Sequence, residues 1–172
     1  MRAHSYAFTL AMWMTWPVSA TSVIGHKAEQ VIKASGVTEI KDTFDGVWVV
    51  IQFRTRTLSP DASKRTDRLP ALACTGSRIP CSILEGIEIQ VQGKRVFVPK
   101  PAFIGLSDIV TAAIFGGKRM YVLRIVGGDA SEAYLVSLTF NRDQVLTRKV
   151  APLTEPDAPS EESAFHATAV SD

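Results

Sequence analysis

Few side chains in this chain have the types and spacing that catalysis or metal binding require. Outside the first 20 residues the only histidines are His26 and His166, far apart in the sequence. Acid–base or nucleophilic catalysis needs a base beside a nucleophile or a paired carboxylate, and neither histidine has such a neighbour. Two histidines and one cysteine pair do not supply a zinc ligand set either. We therefore expect no catalytic residues, no metal site and no cofactor.

The two cysteines, Cys74 and Cys81, predict a disulfide. They are the only cysteines of the chain, and in an oxidising compartment a close pair of this kind forms a bridge. Closing so short a loop constrains the unfolded chain by about 2.5 kcal/mol in the chain-entropy model. The alternative, a redox-active pair, normally has the tighter Cys-x-x-Cys spacing. We interpret the pair as a structural bridge.

Two groups of residues are candidates for binding. The first is the segment Gly127–Tyr134, which joins two alternating apolar runs and opens with paired glycines. Glycines allow successive backbone amides to converge, and Asp129, Ser131 and Tyr134 would present polar groups to a partner. The alternative is that Asp129 and Ser131 satisfy the backbone of the turn itself, and that the ring of Tyr134 belongs to the core.

The second candidate is a basic stripe on the outward faces of the predicted strands. Five arginines are expected at or near exposed strand positions: Arg54, Arg56, Arg95, Arg124 and Arg148. Arginine binds carboxylates and phosphates in a bidentate manner, so a row of arginines predicts an anionic ligand. The alternative is a solvated face that also discourages aggregation at the sheet edge.

The elements that must position these residues are predicted by hydrophobic period. On the strongest strand Val49, Ile51 and Phe53 share one face, while Gln52 and Arg54 share the other. Short polar or glycine-containing segments separate the strands, which favours antiparallel pairing of neighbours. A helix is expected at 25–35, ended by Gly36. Strands are expected at 37–44, 47–57, 87–91, 95–98, 109–115, 119–126, 134–140 and 144–150.

The N-terminus has the composition of a secretory signal peptide. Arg2 precedes the apolar run Tyr6–Trp16, and small residues follow up to Ala20. This order of basic, apolar and small residues predicts cleavage near Ala20. The alternative, a membrane anchor, needs about 20 apolar residues and fails on length. We expect no membrane span after cleavage.

The compartment predicted for the cleaved protein is the bacterial periplasm. The only asparagine, Asn141, is followed by Arg142 and Asp143, so the chain has no N-glycosylation sequon. That absence fits a bacterial secreted protein better than a eukaryotic one. The formal charge of the chain is +2. Without Arg2 and the five acids after Val150 the body carries +6, a charge that is typical of solubility, and we expect no nucleic-acid partner.

Two segments lack hydrophobic period. Residues 58–80 contain three prolines and four basic residues, and they predict either a solvated insertion or a surface for an anionic partner. After Val150 the chain has five acids, no lysine or arginine, and prolines at 152, 156 and 159. Such a composition cannot bury a core, and it predicts a disordered acidic tail at 151–172.

Together these patterns predict a mainly β (α+β) fold. We expect an antiparallel meander sheet, or a small barrel or sandwich, with one short N-terminal helix. The predicted parts are the signal peptide at 1–20, a single secreted β-rich domain at 21–150 and the tail. The predicted function is a non-enzymatic binding or inhibitor-type module for an unidentified protein or anionic ligand. Two alternatives stay open: an envelope structural or assembly partner and, least favoured, an uncharacterised enzyme.

Overall fold

Ten β-strands and one 3₁₀ turn make up the part of the protein that the computed structural model describes, residues 29–58, 81–117, 119–129 and 132–166. The 3₁₀ turn is Lys100–Ala102. The strands are β1 Gln30–Val31, β2 Gly36–Phe44, β3 Val47–Leu58, β4 Cys81–Val91, β5 Lys94–Val96, β6 Ile109–Gly117, β7 Met120–Gly127, β8 Tyr134–Phe140, β9 Val145–Pro152 and β10 Glu161–Ala164.

The strands form two antiparallel sheets. One has the order β2-β3-β4-β5, and the other has the order β1-β6-β7-β8-β9-β10. Neither sheet closes on itself, so the barrel that the sequence left open is not formed. The prediction of a mainly β fold is confirmed, and the predicted meander is seen in the run from β6 to β10.

One hydrophobic core lies between the two sheets. From β3 it takes Val49, Ile51 and Phe53, and from β7 it takes Leu123 and Ile125, all with no solvent exposure. These are alternate residues, because successive side chains of a strand point to opposite faces. Burying each of these side chains contributes roughly 1.5–3 kcal/mol. The predicted inward row of β3 is confirmed.

Tight turns join the strands at one end of the sheets. Asp45 and Gly46 have φ of 50° and 78°, and Gln92 and Gly93 have 49° and 78°. Positive φ at both central residues matches the right-handed twist of the flanking strands, which explains the glycine at each second position. The strands expected at 87–91 and 95–98 are thus joined by a turn centred on Gln92 and Gly93.

The predicted helix at 25–35 is not seen. Residues 25–28 lie outside the described part, and Gln30 and Val31 form β1, paired with β6. The amide of Ile32 donates to the Val110 carbonyl at 2.9 Å, and the Ile32 side chain is only 4% exposed. A helix of two or three turns is marginal alone, whereas the edge of β6 offers backbone partners to an extended segment.

The predicted acidic tail is ordered up to residue 166. β9 continues through Pro152, and Glu161–Ala164 pairs antiparallel with β9. The amide of Phe165 donates to the Leu146 carbonyl at 2.8 Å, and its ring packs on the core. Composition alone did not reveal that the edge of β9 has unpaired backbone groups for the tail to satisfy. Residues 167–172 lie outside the described part.

Backbone hydrogen bonds join the two sheets at two places. Near one end, the amide of Leu84 donates to Leu106 at 3.0 Å and the amide of Asp108 donates to Ser82 at 2.7 Å. On the other side, the amide of Val145 donates to the Phe97 carbonyl at 2.9 Å, and the amide of Phe97 donates to the Asp143 carbonyl at 2.7 Å. These contacts fix how the turns of one sheet lie against those of the other.

Candidate functional site

The Gly127–Tyr134 segment is the turn between β7 and β8. The Asp129 carbonyl accepts a hydrogen bond from the Glu132 amide at 2.9 Å, and the Gly128 amide donates to Asp108 at 3.1 Å. Asp129 is exposed, and Ser131 lies outside the described residues. The segment therefore has the backbone bonding of a turn, and a binding role for Asp129 and Ser131 stays a prediction.

Tyr134 is engaged by the backbone of the protein. Its hydroxyl donates to the Ser107 carbonyl at 2.5 Å and accepts from the Ser107 amide at 3.1 Å. Burial raises the pKa of this hydroxyl to about 12, although the hydrogen bond with Ser107 acts in the opposite direction. A side chain at Gly127 would overlap the Tyr134 ring. Tyr134 thus holds the β6 entrance against β8, and its hydroxyl is engaged by both backbone groups of Ser107.

Three of the predicted stripe arginines lie on the outer face of the four-stranded sheet, but glutamates lie between them. Arg95 pairs with Glu88 at 2.8 Å, and Arg54 approaches the same carboxylate at 3.8 Å. Arg56 pairs with Glu85 at 2.5 Å. Exposed pairs of this kind each contribute about 0–1 kcal/mol. The face therefore carries mixed charge, and binding of an anionic ligand by these three arginines stays a prediction.

The other two arginines belong to the six-stranded sheet and do not share a face. Arg124 is exposed, and its guanidinium lies 4.9 Å from the centre of the Phe115 ring. Arg148 is only 5% exposed and pairs with Glu161 of β10. The five arginines are thus divided among two outer faces and one interior position, and they form no common surface.

A β-bulge explains why Arg148 was predicted on the wrong face. Phe140 pairs with Val145, but Leu138 pairs with Arg148, so β9 has one residue more than β8 between these pairs. The Leu138 side chain has no exposure, and the residue paired with it points to the same face. An extra residue reverses the inward and outward alternation beyond it. Strict alternation from Val145 had placed Arg148 outward.

Of the two cysteines and the two histidines considered in the sequence, the structure describes one of each. Cys81 begins β4 and is 2% exposed, while Cys74 lies outside the described residues, so the disulfide stays a prediction. His166 is exposed, and His26 lies outside the described part. Within residues 29–58, 81–117, 119–129 and 132–166, no group of three or more histidines, cysteines and acids is arranged to hold a metal ion.

A cleft that the sequence did not reveal lies where the tight turns meet. We call it the turn-end cleft; its volume is about 460 Å³. Its floor is apolar, with the rings of Phe44 and Tyr121 5.9 Å apart. Gly116 permits this arrangement, because a side chain there would come within 2.6 Å of Tyr121. The cleft is lined by Phe44, Asp45, Val47, Gly117, Arg119, Tyr121 and Arg142.

Two arginines give the turn-end cleft its charge. Arg142 is held by Gln92, which accepts a hydrogen bond from its Nη2 at 2.7 Å. Arg119 is exposed, and no hydrogen bond or ion pair holds its side chain within the described residues. Asp45 is the one acid among the described residues that line the cleft, where two arginines stand against one carboxylate. The cleft can therefore accept an anionic group above an apolar floor.

The backbone of Arg119 is strained. Its φ is 104°, in the region that favours glycine, although the turn has paired glycines just before it. A non-glycine residue in such a conformation costs of order 1–3 kcal/mol, and strain of this kind clusters at functional sites. The sequence predicted Arg119 at the start of a strand, at 119–126, and no local pattern placed it near Arg142. The cleft depends on the β6–β7 and β8–β9 turns sharing one end, which is a non-local property of the fold.

No helix among the described residues is long and apolar enough to span a bilayer. Compared with protein-family models, with curated proteins and with solved structures, the chain matches none of them.

Proposed function

We propose that this protein is a non-enzymatic binding module of the bacterial periplasm, and that the turn-end cleft is its ligand site. The ligand carries a carboxylate or phosphate next to an apolar or aromatic portion. The observation that carries this proposal is the pair Arg119 and Arg142 at the rim of a cleft whose floor is Phe44, Val47 and Tyr121. The charged group meets the arginines, and the apolar portion packs on the rings.

Backbone strain at Arg119 supports this choice of site. Glycine in place of Arg119 would satisfy the turn at lower conformational cost. The Arg119 side chain is exposed and makes no hydrogen bond or ion pair among the described residues, so it is available to an anionic ligand.

The two surfaces predicted from sequence receive less support. Arg54, Arg56 and Arg95 already have carboxylate partners, so an anion would have to compete with Glu85 and Glu88. In the Gly127–Tyr134 turn, the Tyr134 hydroxyl is occupied by Ser107. An enzyme remains the least supported alternative, because no base is positioned beside a nucleophile in the described part of the cleft.

The proposal is tested by calorimetric titration with phenyl phosphate, which joins an aromatic ring to an oxoanion. Arg142→Gln should weaken binding about tenfold to a hundredfold, because a hydrogen bond to a charged group contributes about 1.5–3 kcal/mol. Arg124→Gln, a change of the same type on an exposed face away from the cleft, is the control and should bind as the wild type does. Unchanged affinity in both Arg142→Gln and Arg119→Gly would sink the proposal.

A second candidate function is an envelope assembly partner. The observation in its favour is that β2, nine residues long, is an edge strand of its sheet. An exposed strand edge can pair with a strand of another chain. Sedimentation velocity of the purified protein tests self-pairing: a monomer at all concentrations opposes this candidate, and a concentration-dependent dimer that a proline in β2 abolishes supports it.

Secretion is a separate part of the proposal and has its own measurement. The predicted signal peptide, residues 1–20, lies outside the described residues. Mass spectrometry of the protein recovered from a periplasmic fraction should give an N-terminus near Thr21. Recovery of the uncleaved chain from the cytoplasm alone would contradict this expectation.

A further inference from the structure

β2 is the longest of the four strands that end the two sheets. Among the described residues, the other three are short: β1 has two residues, β5 has three and β10 has four. β2 has nine residues, contains no proline and keeps an unbroken register with β3. Short edge strands protect a sheet from pairing with another chain, and a long regular edge lacks this protection. The free side of β2 is therefore a template for a strand of another chain.

The hydrogen-bond phase of β2 determines which residues can join such a strand. The two-residue turn after β2 makes Phe44 and Val47 a hydrogen-bonded pair. Every second residue back along β2, including Ile40, bonds to β3 in the same way. Glu39 and Lys41 therefore direct their N–H and C=O groups away from β3, and no backbone hydrogen bond among the described residues uses them.

The usable edge ends before the turn. The Thr43 amide donates to the Asp42 carboxylate at 2.5 Å, so the ladder of a second strand is limited to the part of β2 before these residues. Val37, at the other end of the strand, is 49% exposed. The centre of the usable edge is therefore the segment from Glu39 to Lys41.

Two opposite charges lie side by side in this segment. Lys41 Nζ meets Glu39 Oε1 at 2.7 Å, and the two side chains are 67% and 36% exposed. Gln52 of β3 donates to the other oxygen of Glu39 at 2.7 Å. The hydrogen bonds from Lys41 and Gln52 lower the pKa of Glu39. A lone lysine discourages pairing at a sheet edge, but here a glutamate two residues away makes the edge locally neutral.

The charges select one antiparallel register between β2 and a second copy of β2. With a two-fold axis at Ile40, Glu39 lies opposite Lys41 of the second copy, and Lys41 lies opposite its Glu39. With the axis at Glu39 two carboxylates would face each other, and with the axis at Lys41 two ammonium groups would. Opposite charges directly across an antiparallel pair attract and like charges repel. β2 is thus complementary to itself about Ile40.

We infer that two copies of this protein pair antiparallel through β2, about a two-fold axis at Ile40, so that their four-stranded sheets become one continuous sheet. Each Glu39–Lys41 pair across the axis exchanges two backbone hydrogen bonds. Their side chains alternate in sign on the outer face, so each charge lies next to two opposite ones. The dimer rests on the second candidate function, assembly, and not on ligand binding in the turn-end cleft.

Sedimentation velocity of two charge variants, alone and mixed, tests this dimer. Glu39→Lys brings only cations together at the axis, and Lys41→Glu brings only carboxylates together. Each variant alone should therefore have a dissociation constant about tenfold or more above that of the wild type. An equimolar mixture should recover the dimer, because each cation then faces a carboxylate. Glu162→Lys, the same change at an exposed glutamate of β10, is the control and should dimerise as the wild type does.

A disulfide trap tests the register. Glu39→Cys mixed with Lys41→Cys should give a cross-linked heterodimer under mild oxidation, because directly opposite residues of a hydrogen-bonded pair lie about 5.5 Å apart at Cα. Either variant alone should cross-link much more slowly, since its new cysteines lie diagonally across the axis. The wild-type protein under the same oxidation is the control for the two native cysteines. Equal cross-linking of Glu39→Cys alone and of the mixture would overturn the register.

The outcomes separate this dimer from the two candidate functions. A wild-type protein that is monomeric at every concentration would overturn the dimer together with the assembly candidate, and it would leave phenyl phosphate binding as a separate question for the turn-end cleft. A dimer whose affinity is unchanged in both Glu39→Lys and Lys41→Glu would overturn the β2 pairing alone, because assembly would then use another surface.

Discussion

At the scale of single residues, the Tyr134 hydroxyl has a clear structural task. It satisfies both the amide and the carbonyl of Ser107 in a partly buried place. Tyr134→Phe should therefore lower the free energy of unfolding by about 1–3 kcal/mol, since two backbone groups lose their partner. Urea denaturation measures this change. Ser137→Ala, on the outer face of the same strand, is the control and should cost less than about 0.5 kcal/mol.

The raised pKa of Tyr134 predicts a pH dependence with a definite sign. The folded value is about 12 and the ordinary value is 10.0, so the unfolded chain loses this proton first as the pH rises. The contribution to stability is complete below about pH 10 and falls between pH 10 and 12. Tyr134→Phe should remove this part of the alkaline loss. Urea titrations of both proteins in that range measure the difference, and parallel curves would contradict the assignment.

Replacement of Arg119 should weaken ligand binding without lowering the stability of the fold. Arg119→Gly relieves a positive φ at a cost in unfolded-state entropy of about 0.5–1 kcal/mol, against strain of about 1–3 kcal/mol. The variant should unfold at the same temperature as the wild type or slightly above it, and it should lose affinity for phenyl phosphate. Differential scanning calorimetry measures the first property. A clear loss of stability would show that the side chain serves the fold.

At the scale of elements, two carboxylates of β10 pair with cations of β9, and the two pairs should contribute unequally to the free energy of unfolding. Glu161 neutralises the buried Arg148, whereas Glu162 pairs with Lys149 at 3.0 Å on the surface. Glu161→Gln should cost on the order of 2 kcal/mol, because it leaves a buried cation without its counter-charge. Glu162→Gln, the same change one residue along, should cost less than about 0.5 kcal/mol. Equal costs in urea denaturation would contradict the inward placement of Arg148.

The strands were predictable where each has its own alternation. The Val49, Ile51 and Phe53 row identifies β3 without knowledge of its neighbours, because burial of one face imposes a period of two. β1 and β10 were not predictable, since two to four residues become strands only when an edge offers backbone partners. The β9 bulge was also hidden, because its one extra residue shows only in the register with β8.

At the scale of the whole molecule, the site depends on which turns share an end. The β2–β3, β4–β5, β6–β7 and β8–β9 turns lie at one end, where the Arg142–Gln92 hydrogen bond and the Lys94–Asp143 pair at 2.5 Å join the β4–β5 turn to the β8–β9 turn. In an antiparallel sheet every second turn falls at the same end, so part of this was implicit in the predicted meander. The way in which the two sheets approach each other was not implicit in the sequence, because it depends on non-local packing of the core.

The Gly127–Tyr134 turn lies at the opposite end of β7 and β8 from the turn-end cleft. The sequence favoured it because it is long and has paired glycines. The cleft is built from shorter turns whose residues are far apart in the chain, such as Asp45, Arg119 and Arg142. A surface formed by residues of three turns has no local pattern, which is the physical reason that the sequence did not reveal this cleft.

The central claim is the position of the ligand, and an NMR titration of the ¹⁵N-labelled protein with phenyl phosphate tests it most directly. We predict saturable shifts of the amides at 44–47, 119–121 and 141–143, with the amides at 127–129 and 132–134 unmoved. Shifts centred on the Gly127–Tyr134 turn, or on the Arg54 and Arg95 face, would contradict the claim, and so would the absence of any saturable shift.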